Sequence, residues 1–269
     1  MRRLLLGILF GLLLLGAPAG HILSQAAPTA TPETDLGDGT LRRIRVPILM
    51  YHYVSNLPAD ADATRIGLTV DPATFRAHLA YLSQNVYSTI SLYQLDDALM
   101  RGVPLPPRPV ILTFDDGYID HYVNVFPALK EHGFTATFFI ITGRPDTNDP
   151  AYMTWDEIHE MSDAGMSMES HTKTHQELQN RDYDFLVYEL LGSLQSLQAH
   201  TGHEPHMFAY PVGHYDDATL SVLRQLPVWR ALTTERGALH TSDNHLEVPR
   251  VRINGDMGVS ALASLLQTS

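Results

Sequence analysis

The run Val110-Ile-Leu-Thr-Phe-Asp-Asp-Gly117 restricts this chain more than any other segment, because an apolar, β-branched strand stops there on two adjacent carboxylates and a glycine. Burying a carboxylate without a partner costs several kcal/mol, and two at one strand terminus repel each other unless a cation or a proton intervenes. A metal site with an adjacent acid or base is the economical explanation. Further along, Met166-Ser-Met-Glu-Ser-His-Thr-Lys-Thr-His175 reads as a second short strand followed by two imidazoles. One carboxylate and two histidines, with a carboxylate to spare, leave open coordination positions for water and substrate. Catalytic Zn²⁺ sites are built this way, and the same set suits Fe²⁺.

The rest of the chain alternates between strand and helix. Val46 to Tyr51 reads as a strand. Asp71-Pro72 supplies an N-cap and an N1 proline for a helix whose apolar face is Phe75, Leu79 and Leu82, and Ser91 caps a helix carrying Leu92, Leu95 and Leu99. After the strand ending at Phe114, a helix through Val125 and Leu129 stops at Gly133, and Thr135 to Thr142 forms the next strand. Thr154-Trp-Asp-Glu157 has the form of a capping box and opens a helix ending at Gly165. A short strand over 166–169, a long helix from Asp182 to Thr201, and strands at 206–210, 229–233 and 248–252 complete the pattern, with a helix from Asp216 to Gln225. Such alternation implies a parallel sheet, and this many units implies a closed or nearly closed α/β barrel in a single domain. In a parallel barrel all strand C-termini share one face, so His52, Asp115, Asp116, His171, Tyr210 and Arg250 gather there.

With 44% hydrophobic and 18% charged residues, the 269-residue chain can bury a substantial core. Its formal charge of -12, from 30 acidic against 18 basic residues, argues against nucleic acid as a partner and favours a neutral or cationic substrate. There is no cysteine, so packing alone must stabilise the fold. Arg2 and Arg3 precede an apolar run from Leu4 to Leu15, and Gly16-Ala-Pro-Ala19 ends like a signal-peptidase site. The expected organisation is a signal peptide or uncleaved signal anchor over 1–24, a linker over 25–41, and the folded domain over 42–269. Such a chain works outside the cell or at its surface, tethered to the membrane if the anchor is retained, and as a monomer.

Three motifs now reach a known pattern. Thr113-Phe-Asp-Asp-Gly117, His171-Thr-Lys-Thr-His175 and Phe208-Ala-Tyr-Pro-Val-Gly213 resemble, in order, the motifs of the polysaccharide deacetylase (NodB-homology) family, across Val46 to Asn254. The resemblance implies a distorted (β/α)7 barrel, a divalent metal, and removal of acetyl groups from sugar polymers. It assigns Asp115 as catalytic base and Asp116, His171 and His175 as metal ligands, with Zn²⁺ the first choice and Co²⁺, Ni²⁺ or Fe²⁺ alternatives. Phe208 stands where the family usually has arginine, and the family's late Leu-x-His motif has no counterpart.

Pro47-Ile-Leu-Met-Tyr-His-Tyr53 and Leu246-Glu-Val-Pro-Arg-Val-Arg252 resemble the poly-N-acetylglucosamine deacetylases of biofilms, whose motif order is circularly permuted. That likeness gives His52 the role of general acid, with His240 as its rival, and lets Arg250 replace the missing arginine beside the base. Tyr210, through its backbone N–H, and Pro211 are assigned to substrate binding and the oxyanion. The substrate implied is an extracellular N-acetylglucosamine polymer, either poly-N-acetylglucosamine or peptidoglycan. Acetyl-ester hydrolysis on xylan, or a catalytically decayed carbohydrate-binding protein, are the alternatives. His78, His121 and His132 are expected on helix surfaces and His240 and His245 in a solvated loop, while Trp155 and Trp229 are read as packing.

Overall fold

The computed structural model describes residues 37–268. Among these, seven parallel strands close into a barrel in chain order: β1 Ile48–Tyr51, β2 Pro109–Phe114, β3 Thr137–Ile140, β4 Ser167–Ser170, β5 Met207–Ala209, β6 Arg230–Arg236 and β7 Val248–Arg252. β7 pairs with β1 and β1 with β2, so the ring is sealed. It is distorted at two seams. β4 and β5 meet only at Ser170 and Phe208, and the register of β6 against β7 shifts between Leu232 and Arg236. The expectation of a distorted seven-stranded (β/α) barrel is met.

Local signals in the sequence set the helices. α1 Pro72–Gln84 starts where the Asp71 carboxylate accepts from the N–H groups of Ala73 and Thr74, and it buries Phe75, Leu79 and Leu82. α2 Leu92–Arg101 and α4 Trp155–Asp163 open with reciprocal capping boxes, Ser91 with Gln94 and Thr154 with Glu157. Between them α3 Phe126–His132 stops at Gly133, which takes the left-handed conformation (φ 66°). α5 Tyr183–Thr201 is capped by Asp182, α6 Asp217–Leu223 by Asp216, and α7 Val259–Thr268 closes the described chain. α7 and a short helix, Ala63–Leu68, were not anticipated. No helix among the described residues is long and apolar enough to cross a membrane. The signal or anchor segment and residues 25–36 of the linker lie outside the described residues.

The strand period of two determines what the barrel interior holds. Ile48, Ile111, Phe139, Met207, Leu232 and Val248, one from each of six strands, belong to a single buried cluster. Stepping two residues at a time toward the C-terminal ends leads from Ile111 through Thr113 to Asp115, and from Val248 to Arg250 and Arg252. The apolar layer below therefore supports a polar layer above it.

Three histidines lie elsewhere than expected. His78 and His121 are fully buried rather than on helix surfaces. His78 bridges the Tyr51 hydroxyl (3.1 Å) and the Met257 carbonyl (2.9 Å), and His121 Nε2 donates to the His52 carbonyl at 2.6 Å. His240 is buried in the strand Leu239–Thr241, which pairs with Arg43–Arg45, and its Nε2 donates to Val46 O at 2.8 Å. Val46 precedes β1, so His240 belongs to the opposite end of the barrel from the strand C-termini and drops out as a rival acid.

Candidate active site

In an extended strand consecutive side chains point to opposite faces, so Asp115 and Asp116 could not share a site if β2 simply continued. It does not continue. Asp116 and Gly117 both adopt left-handed backbone, with φ 80° and 79°, a region aspartate tolerates better than most side chains. A Cβ on Gly117 would lie 3.3 Å from the Ile140 side chain, so glycine also meets a spatial need there. The result is that both carboxylates, with His52, His171 and His175, line one open cavity of about 420 Å³ at the C-terminal face of the barrel.

Asp115 and Arg250 form a bidentate, buried pair. Nη1 and Nη2 of Arg250 reach the two carboxylate oxygens at 2.7 and 2.8 Å, while its Nε donates to Thr233 O at 3.0 Å. Burial pushes the Asp115 carboxyl up, but the guanidinium outweighs it and holds the group below its ordinary range. Asp115 is thus an ionised carboxylate at neutral pH.

Oδ1 of Asp116 lies 3.4 Å from His171 Nε2 and 3.2 Å from His175 Nε2. Donors about 2.1 Å from a common tetrahedral centre stand about 3.4 Å apart, so these separations suit one divalent ion. The three ligand atoms all fall within 4.8 Å of one another. His171 Nδ1 donates to Ala209 O at 2.7 Å, which fixes the proton on that nitrogen and presents Nε2 to the ligand cluster. Burial first, then the neighbouring His171, pushes His175 down to about 4, keeping it neutral, the form in which an imidazole can bind a metal. Burial alone would raise Asp116, but the His171 hydrogen bond and the surrounding imidazoles hold it well below the usual carboxylate range. The donor set therefore fits a metal.

His52 lines the cavity, and its Nδ1 is buried with no partner among the described residues, which leaves Nε2 to reach the open space. Burial lowers its pKa against the opposing pull of Asp115 and Asp116.

The oxyanion assignment needs correction. The Tyr210 N–H is donated to Leu232 O at 3.1 Å as part of the β5–β6 ladder, and its hydroxyl goes to Leu246 O at 2.8 Å. Pro211 has no N–H and is buried in the turn after β5, outside the cavity lining. Arg252 went unassigned although it lines the cavity, and its guanidinium makes no hydrogen bond or ion pair among the described residues. Its signal was present: in Val-Pro-Arg-Val-Arg the period of two puts Arg250 and Arg252 on one face. Tyr53 and Tyr118 also line the cavity, stacked on each other at 3.8 Å with the Arg65 guanidinium over Tyr53. Trp155 and Trp229 are outside it, stacked on His200 and His206.

Residues 102–230 match a family model described as polysaccharide deacetylase. A Bacillus subtilis protein named putative polysaccharide deacetylase YxkH is 30% identical over 229 residues, covering 85% of this chain and 78% of that protein. The poly-beta-1,6-N-acetyl-D-glucosamine N-deacetylase of Escherichia coli is 26% identical over 252 residues, and the match spans 78% of this chain but 37% of that longer protein. Among solved structures, the Streptococcus pyogenes deacetylase PplD in complex with acetate superposes with a TM-score of 0.77 at 30% identity, over 84% of this chain and 99% of that one.

Proposed function

From the premise that the chain belongs to the polysaccharide deacetylase family and is a deacetylase hydrolase, we propose that it removes N-acetyl groups from an N-acetylglucosamine polymer outside the membrane, poly-N-acetylglucosamine or peptidoglycan, using a divalent metal, Zn²⁺ first. The observation that carries this reading is an Arg-paired, ionised Asp115 beside the Asp116, His171 and His175 cluster in one cavity. The substrate follows the names of relatives such as the E. coli protein, and the location follows the amino-terminal export signal.

An amide is a weak electrophile with a poor leaving group, so its hydrolysis needs an activated water, a stabilised oxyanion and an acid. A divalent ion held by Asp116, His171 and His175 would polarise the acyl oxygen and acidify water. Asp115 takes a proton from the attacking water. Arg250 occupies one lone pair on each of its oxygens and leaves others to accept. His52, through Nε2, gives a proton to the departing nitrogen. Its lowered pKa makes the protonated ring a stronger acid than an ordinary imidazolium. With the Tyr210 amide committed to the ladder, the uncommitted donors of Arg252 are assigned to the negative oxygen.

The test is acetate release from poly-N-acetylglucosamine, peptidoglycan, chitooligosaccharides and acetylated xylan, with and without chelator. Chelator-sensitive release from the N-acetylated polymers supports the reading. Release from xylan alone would replace amide with ester hydrolysis, and no release from any substrate by folded, metal-loaded protein would contradict it.

A further inference from the structure

The loop that carries both histidines is held in an unfavourable shape. Thr172 and His175 have φ 65° and 61°, a left-handed region that is costly for a β-branched or bulky residue. Its backbone is gripped on two sides. On one side the loop carbonyls of Thr172 and Lys173 accept from the N–H groups of Thr142 (3.1 Å) and Gly143 (2.8 Å). A Cβ on Gly143 would sit 2.6 Å from Lys173 O, so only glycine lets the two segments approach this closely.

On the other side stands α5. Glu189, 1% exposed, accepts from Lys173 N at 3.0 Å, from Thr174 N at 2.8 Å, and from the Thr174 hydroxyl through its second oxygen. One turn on, the fully buried Ser193 bonds the Ser170 hydroxyl, whose oxygen accepts the Thr172 N–H at 3.3 Å. A buried carboxylate in mid-helix that served only the helix would bond within it. All three hydrogen bonds of Glu189 go instead to Lys173 and Thr174, two of the three residues between the histidines.

We infer that Glu189 is a positioning residue for the metal centre: from the outer helix it fixes the backbone between His171 and His175, and so sets how tightly that pair can hold a divalent ion. The inference rests on the metal reading proposed above. Losing a group that orients metal ligands typically weakens affinity about 10- to 100-fold.

The experiment measures the Zn²⁺ dissociation constant of chelator-stripped full-length protein by competition with a chromophoric chelator, together with the visible spectrum of the Co²⁺-loaded form. Glu189→Met keeps the length of the side chain but removes every acceptor. Glu189→Gln keeps an oxygen for both N–H groups and an amide that can donate to the Thr174 hydroxyl. The expected result is affinity weakened about 10- to 100-fold with altered Co²⁺ bands in the Met variant, and rescue to within about threefold in the Gln variant. Thr174→Val, at an exposed position, removes one of the three bonds and should weaken Zn²⁺ severalfold, which carries the test even if the Met variant does not fold. Unchanged affinity in either Glu189→Met or Thr174→Val, or equal loss in the Gln and Met variants, overturns the role of Glu189. Failure of the unsubstituted chain to bind Zn²⁺ overturns the metal reading itself, and this inference with it.

Discussion

Replacing Arg250 by methionine removes the only guanidinium or ammonium group bonded to Asp115 among the described residues; that carboxylate is 2% exposed, and the Arg250 side chain is itself fully buried. Breaking a buried ion pair from one side leaves an uncompensated charge and costs about 3–5 kcal/mol. The upper part of that range is expected, because Arg250 also donates to Thr233 O and Thr113 Oγ1, which lose a donor. Urea denaturation of the metal-free protein at neutral pH measures this loss. The sign of its pH dependence should also change. With Arg250 present, Asp115 titrates below its ordinary value of 3.8, so its contribution to stability is whole above that pH and is lost as the pH falls through the lower folded value. Without Arg250, burial dominates and the pKa rises, so stability should drain as the pH increases, and the acid limb of kcat/KM should move to higher pH. Adding Asp115→Asn to Arg250→Met should restore stability but not turnover, since the buried charge is gone along with the base. A cost below about 1 kcal/mol, typical of solvent-exposed pairs, combined with an unshifted acid limb, would refute the reasoning.

His52→Ala should impair amide substrates far more than an activated acetyl ester, whose leaving group needs no proton; equal losses on both would remove His52 as the acid. Arg252→Met should lower kcat about 100-fold, near 3 kcal/mol, with Zn²⁺ content unchanged, and a near-normal kcat would return the oxyanion to other donors. Burial pushes His240 down to about 4 from its ordinary 6.5, so the unfolded chain takes up a proton that the folded chain refuses between those values. Stability should therefore fall by about 3 kcal/mol as the pH drops from 6.5 to about 4, and His240→Gln, which keeps a donor for Val46 O, should flatten that slope in chemical denaturation curves.

Much of the barrel was legible because its signals are local. Asp71-Pro72, Ser91 and Thr154 cap helices within three residues of themselves, and the apolar run before Asp115 identifies a buried strand without reference to any partner. The ligand set was legible for a related reason: two adjacent carboxylates and a His-x-x-x-His pair are too costly to bury by chance. What escaped depends on contacts between distant segments. Nothing local shows that His78 meets Met257 O or that His240 meets Val46 O, and a histidine on an amphipathic helix looks solvated until those partners arrive. The Tyr210 N–H looked free because the ladder that consumes it belongs to β6. Glu189 interrupts a leucine-rich helix and passes for a surface residue until the loop folds against it. α7 escaped although Leu262, Leu265 and Leu266 carry helical spacing, since no glycine or proline stop signal follows Leu266 as Gly133 follows α3.

The central claim is that one carboxylate handles protons while its neighbour and two histidines hold the metal. Metal content and acetate release measured together on Asp115→Asn and His175→Ala test it most directly. Asp115→Asn should retain metal and lose turnover by at least about 100-fold, whereas His175→Ala should lose both. Near-normal acetate release by Asp115→Asn, or undiminished metal affinity in His175→Ala, would contradict the account.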